Sequence, residues 1–93
     1  MQSNIQIIQK DQIEKLKFPK EDVLTSKDEK INRFVDLHKA LYLGNVGKEK
    51  VSITFYDDSG LKRVDTTIWG VTDKAVILKK SAIIPLGRVV SVA

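Results

Sequence analysis

Val51-Ser52-Ile53-Thr54-Phe55-Tyr56-Asp57-Asp58-Ser59-Gly60-Leu61 is the stretch whose reading decides the fold. Val51, Ile53 and Phe55 alternate with Ser52, Thr54 and Tyr56, the period-two pattern of a strand with one face buried. Asp57-Asp58-Ser59-Gly60 then has the composition of a tight reversal, so the chain turns back on itself. Downstream, Leu61 to Val71 reads as one long strand rich in β-branched residues, with Gly70 late in it at the expected bend. Ala75–Leu78 and Ala82–Ile84 follow as short strands, separated by Lys79-Lys80-Ser81. Pro85-Leu86-Gly87 interrupts, and Arg88–Val92 forms a last strand. Pro85 has no amide to donate, which suits a strand end.

Upstream the period changes. Ser26 and Glu29 have capping-box spacing, and Asp28 places negative charge at the positive end of a helix dipole. Ile31, Phe34, Val35, His38, Leu41 and Tyr42 recur at helical steps and draw one apolar stripe, predicting a long helix over about 27–43 that Gly44 ends. Further back, Asp11 and Glu14 suggest a short helix closed by Pro19, with 19–25 a connector. Ile5, Ile7 and Ile8 fit a short strand or a helical start, with strand preferred.

The expected architecture is α+β: N-terminal helices followed by a small five-stranded antiparallel barrel. Residues 1–93 form a single domain, with 1–47 as a helical part and 48–93 as the barrel. A flat five-stranded sheet would expose two long apolar edges, so closure or pairing with another subunit is expected. The predicted core is Val51, Ile53, Phe55, Ile68, Val76, Leu78 and Val90, capped by Phe34, Leu41 and the rest of the helix stripe.

Composition narrows the function classes. Ninety-three residues with 42% hydrophobic side chains hold one core. The chain has no cysteine, which excludes disulfides, thiolate metal sites and a thiol nucleophile. Apolar runs reach only three or four residues, far from the ~20 that a membrane span needs. Met1-Gln2-Ser3-Asn4 lacks the basic start and apolar stretch of a signal peptide, so a soluble cytoplasmic protein is expected. A single histidine on the apolar stripe offers no base for a serine nucleophile, and oxygen ligands alone remain for a metal. Asp57-Asp58 lacks the spaced acids of an EF-hand loop. Gly44-Asn45-Val46-Gly47-Lys48 has only two residues between its glycines and runs from helix to strand, the reverse of a phosphate loop. No enzymatic activity, cofactor or small-molecule substrate is inferred.

Binding is the remaining class. The net charge is +4, and the excess sits in residues 48–93, which hold eight basic and five acidic residues. Lys62, Arg63, Lys74, Lys79, Lys80 and Arg88 fall on or near turns of the expected barrel, where they would form a basic rim for an RNA or DNA backbone. The competing reading makes these side chains strand terminators for solubility and edge protection. Trp69, His38 and Tyr42 are candidate interaction residues, with Trp69 either beneath the helix, in a subunit interface, or exposed as a stacking platform. Apolar end strands predict a homo-oligomer, a dimer in preference to a ring. The alternative function is a protein–protein interaction module without nucleic acid.

Val51-Ser52-Ile53, the turn Gly60-Leu61-Lys62, Thr67-Ile68 with Asp73 beyond it, Val76-Ile77-Leu78-Lys79 and Arg88-Val89-Val90-Ser91-Val92 together resemble the Sm-like family in its Hfq-type branch. The resemblance spans residues 51–92 and implies ring assembly through edge strands and RNA binding. The Tyr-Lys-His segment of Hfq-type proteins is replaced by Ile84-Pro85-Leu86-Gly87-Arg88, so no binding residue carries over. With Thr66-Thr67-Ile68-Trp69 and Ile84-Pro85, the whole chain also resembles a group of small bacterial proteins, which implies no function.

Overall fold

The structure, a computed structural model, describes residues 5–93. The reading of Met1–Asn4 lies outside them. The described residues form an α+β fold with one α-helix, α1 (Lys27–Gly47), and seven strands. The strands are β1 (Gln6–Ile8), β2 (Val51–Tyr56), β3 (Leu61–Thr66), β4 (Ile68–Val71), β5 (Ala75–Leu78), β6 (Ile83–Pro85) and β7 (Val89–Val92). One sheet has the order β1-β3-β2-β7 and the other β4-β5-β6, so the strands do not close into the expected five-stranded barrel.

Two features account for the difference. The long strand breaks at Thr67 rather than at Gly70, and its halves join different sheets. The bend at Gly70 is replaced by a register shift between Ile68 and Gly70. β1 adds a parallel edge to β3, pairing Gln6 with Lys62 and Ile8 with Val64. The short helix expected after Asp11 is instead a 3-10 turn, Lys10–Lys15, entered where the Gln9 amide donates to Gln12 Oε1 (2.8 Å). Its Ile13 reaches into the core.

Val51, Ile53, Phe55, Ile68, Val76 and Leu78 are buried as the alternation demands. The exception is β7, where Val89 rather than Val90 points inward. A bulge between Thr54 and Phe55 pairs Thr54 with Ser91 but Phe55 with Val89, which shifts the inward set by one residue.

The helix departs most from expectation. It buries Arg33, Leu37, Ala40 and Gly44, while Ile31, Phe34, Val35 and Tyr42 are exposed and Leu41 is half-buried. The predicted stripe therefore faces outward. Small side chains at Ala40 and Gly44 let α1 lie close on β4: a Cβ at Gly44 would stand 2.7 Å from the Ile68 carbonyl oxygen. Gly44 thus serves close approach, not termination. The helix runs on to Gly47 and ends at Lys48, whose left-handed conformation (φ 55°) lets its amide donate to the Gly44 carbonyl at 3.1 Å.

The connector at 19–25 is clasped to the body by two buried arginines. Arg33 donates to both Asp22 carboxylate oxygens (2.8 and 2.7 Å) and to the Val89 carbonyl (3.0 Å). Arg88 donates to the Glu21 carbonyl (2.7 Å) and the Tyr56 carbonyl (3.1 Å). Charge-assisted bonds of this kind satisfy backbone carbonyls that would otherwise be stranded in the interior.

Candidate functional site

The six basic residues of the expected rim do not share one surface. Lys62 belongs to the inward set of β3, where its ammonium reaches Asp57 Oδ1 (3.0 Å) and donates to Ser59 Oγ (2.9 Å). Arg88 is buried in the clasp. Both are committed inside the fold, because strand alternation and the turn before β7 aim them at carbonyl and carboxylate partners. Arg63 is partly exposed and lies along Asp65, with Nε to Oδ1 at 3.0 Å. Lys74 lines a shallow concavity with Lys20, Asp22 and Asp73, where acids offset its charge. Lys79 and Lys80 are brought together along a groove shared with Lys10, Asp11 and Glu14, again of mixed sign.

Lys79 also keeps company with the exposed Trp69. It lines a concavity of about 320 Å³ with Trp69, Gly44, Asn45, Lys48 and Thr67. The Lys79 amide donates to the Thr67 carbonyl (3.0 Å), which fixes the β5–β6 turn against the break between β3 and β4. That turn carries Lys80 and Ser81 at positive φ (64° and 67°), a conformation that side chains resist. Trp69 is 51% exposed, which removes the reading beneath the helix and leaves those of a subunit interface and a stacking platform. Lys48, Asn45 and Thr67 were not legible as its neighbours, because they meet only where the end of α1 crosses β4.

The outward face of α1 forms the other surface. Phe34, Val35, His38, Lys39, Tyr42 and Leu43 line a shallow, almost wholly apolar groove along the helix. The His38 and Phe34 rings, one turn apart, meet at a tilt of 49° with centroids 4.2 Å apart. Tyr42 is 65% exposed and Val46, further along the same face, 68%. His38 and Tyr42 were expected among the interaction residues, whereas Ile31, Phe34 and Val35 were read as core. Their true exposure had a signal in the sequence. Leu37, Ala40 and Gly44 repeat at three- and four-residue steps on the opposite side, and such small residues permit closer helix–sheet approach than Phe34 or Tyr42 does.

Electrostatic shifts mark structural positions. Burial would raise the Asp57 carboxyl, but hydrogen bonds from Lys62 and Ser59 outweigh it and hold the group below its ordinary value. Hydrogen bonds from Arg33 hold Asp22 below its ordinary value despite an opposing burial effect. Hydrogen bonds from Arg63 and Ser52 lower Asp65. Among the described residues no group of three or more His, Cys, Asp or Glu is placed to hold a metal ion. Among them also, no helix is long and apolar enough to cross a membrane. No protein-family model, curated protein or solved structure matches the chain.

Proposed function

We propose that the chain is a non-enzymatic binding module that docks a protein through the outward face of α1. The observation that carries this reading is the exposure of Ile31, Phe34, Val35, Tyr42 and Val46 along one side of a single helix. Scattered exposed apolar residues need no explanation, whereas a contiguous apolar strip is the usual mark of an interaction surface. The opposite side of α1 is anchored on the sheets, so the strip is presented on a rigid support. The partner it fits is a protein with a matching apolar helical surface, since a strip along one helix is complementary to another helix. The cysteine-free composition supports placing this module in the cytoplasm.

A photo-crosslinking residue at Val35 tests the reading in cells expressing the full chain, with Lys74 as the control position. Adducts to one identified protein, formed at position 35 and lost in the Phe34→Glu/Tyr42→Glu variant, support it. Equal labelling at both positions, or no protein adduct at 35, overturns it.

The concavity around Trp69 favours a second reading, nucleic-acid binding by a small module akin to an opened Sm/SH3-like barrel. The strand bent at Thr67 and the 3-10 turn Leu86–Arg88 before β7 support that finer fold assignment. An exposed indole between Lys48 and Lys79 offers a stacking face beside two phosphate-seeking charges. Binding to single-stranded RNA should then weaken as salt rises, with a logarithmic slope reduced by ~0.7 for each lysine replaced by Ala. Absence of a gel shift at about 50 mM salt, a low-salt reference condition, ends this reading.

A further inference from the structure

We infer that the occupant of the outward α1 face is a second copy of this chain, packed antiparallel about a two-fold axis near His38. The inference rests on the protein-docking reading above and names its partner. Ile31, Val35, His38 and Tyr42 are spaced by four, three and four residues, the interval that keeps one helix seam facing another. Val46 continues the seam after a further four. Between Lys30 and Lys48 the exposed charged side chains are only Asp36, off the seam, and Lys39, which lines the groove beside His38 and whose long stem can carry its ammonium past the partner helix to solvent.

Area supports pairing of two copies. Ile31, Phe34, Val35, Tyr42, Leu43 and Val46 are between 40% and 68% exposed. With full areas of up to ~150–250 Å² for the largest, the strip presents on the order of 600 Å² per chain. Two copies would remove at most about 1,200 Å² in total, the low end of the ~1,200–2,000 Å² range of stable specific interfaces.

Direction follows from charge. A parallel pair would set Lys27 and Lys30 of one copy beside the same lysines of the other and align the two helix dipoles. The antiparallel pair sets the mixed-charge start Lys27-Asp28-Glu29-Lys30 beside the partner's helix C-terminus and its Lys48-Glu49-Lys50, where both signs find opposites, and opposes the dipoles. It also brings Val35 against Tyr42 and Ile31 against Val46, matching apolar with apolar on both sides of the axis.

The native chain lacks cysteine, so single replacements report contacts without background. In sedimentation velocity the full chain should run as a dimer at 100 µM, and Phe34→Glu/Tyr42→Glu should lower the dimer fraction at least tenfold with the far-ultraviolet circular dichroism unchanged. His38→Cys should form a disulfide-linked dimer in air, as should a mixture of Ile31→Cys with Val46→Cys, whereas Lys74→Cys should not. A monomer at 100 µM, or a dimer indifferent to the two glutamates, overturns the inference. So does Ile31→Cys linking to itself in preference to Val46→Cys. A chain that is monomeric alone while position 35 still captures a different identified protein overturns self-pairing and leaves the protein-docking reading standing.

Discussion

Lys62 shows how a residue's role is set by which side of a strand it occupies. Its side chain alternates with Arg63, and that one-residue difference decides between a buried ion pair and a solvent-screened one. Asp57 accepts from the Ser59 and Gly60 amides (both 2.9 Å) as well as from Lys62, so the reversal and the ion pair share one carboxylate. Lys62→Ala would leave that carboxylate buried without its cation, and should cost about 3 kcal/mol, the lower end for a broken buried pair. Lys62→Met, which refills the volume, should cost less than Lys62→Ala only if Asp57 is also made neutral as Asn. Urea denaturation of the three variants checks this, and equal stability of wild type and Lys62→Ala would refute the pairing argument. From the sequence, Asp57-Asp58-Ser59-Gly60 was legible as a turn because its residue types act locally. Lys62 was not legible as internal, since a lysine at a turn is ordinarily solvated.

At the scale of elements, what could be read was what depends on short-range alternation. β2 and β5 were placed to the residue by Val51–Tyr56 and Ala75–Leu78, and the N-terminal start of α1 by Ser26, whose Oγ accepts from the Glu29 amide (3.3 Å). The apolar stripe mispredicts the buried face of α1, because apolar recurrence alone does not report how closely a helix can approach the sheets. The sheets instead accept the face bearing Ala40 and Gly44, where the backbones come close, and Arg33 on that face is neutralised by Asp22 from a distant connector. Gly44 offers the direct test. In a free helix Ala is favoured over Gly by ~1 kcal/mol. Here an added Cβ would lie 2.7 Å from the Ile68 carbonyl and 3.0 Å from Thr67 Cγ2, and the backbone oxygen has no room to yield. Gly44→Ala should therefore destabilise, by about 1–3 kcal/mol as overpacking does, with a lower melting temperature. Gly47→Ala meets only the flexible Glu49 side chain and should be neutral or stabilising. A melting temperature raised by Gly44→Ala would show that α1 does not press on β4.

Across the whole molecule the connector adds a tie between α1 and β7, and its fastening titrates. Asp22 accepts from Arg33 and from the Leu24 amide (2.8 Å), while the neighbouring Val23 amide donates to the Gly87 carbonyl (2.8 Å). Arg33 in turn donates to Val89, so one ion pair links the connector, α1 and β7. With the folded-state pKa of Asp22 lowered, the unfolded chain binds the proton more readily, so this group's contribution is complete above the unfolded value of ~3.9 and is lost as pH falls through the lower folded value. Asp57 is shifted in the same direction and acts in the same window. The melting temperature should thus fall as pH drops from about 5 toward 2, the range in which ordinary and lowered carboxyl groups titrate. Asp22→Asn should be less stable than wild type at pH 7 and lose less on acidification, because the group that took up the proton is gone. Arg33→Met separates the charge from the packing: it should flatten the acid dependence similarly while refilling much of the buried volume. An Asp22→Asn variant with an acid profile parallel to wild type would show that the carboxylate is not what fastens the connector, and the clasp would then rest on the Arg88 bond to the Glu21 carbonyl and the Val23 bond to the Gly87 carbonyl.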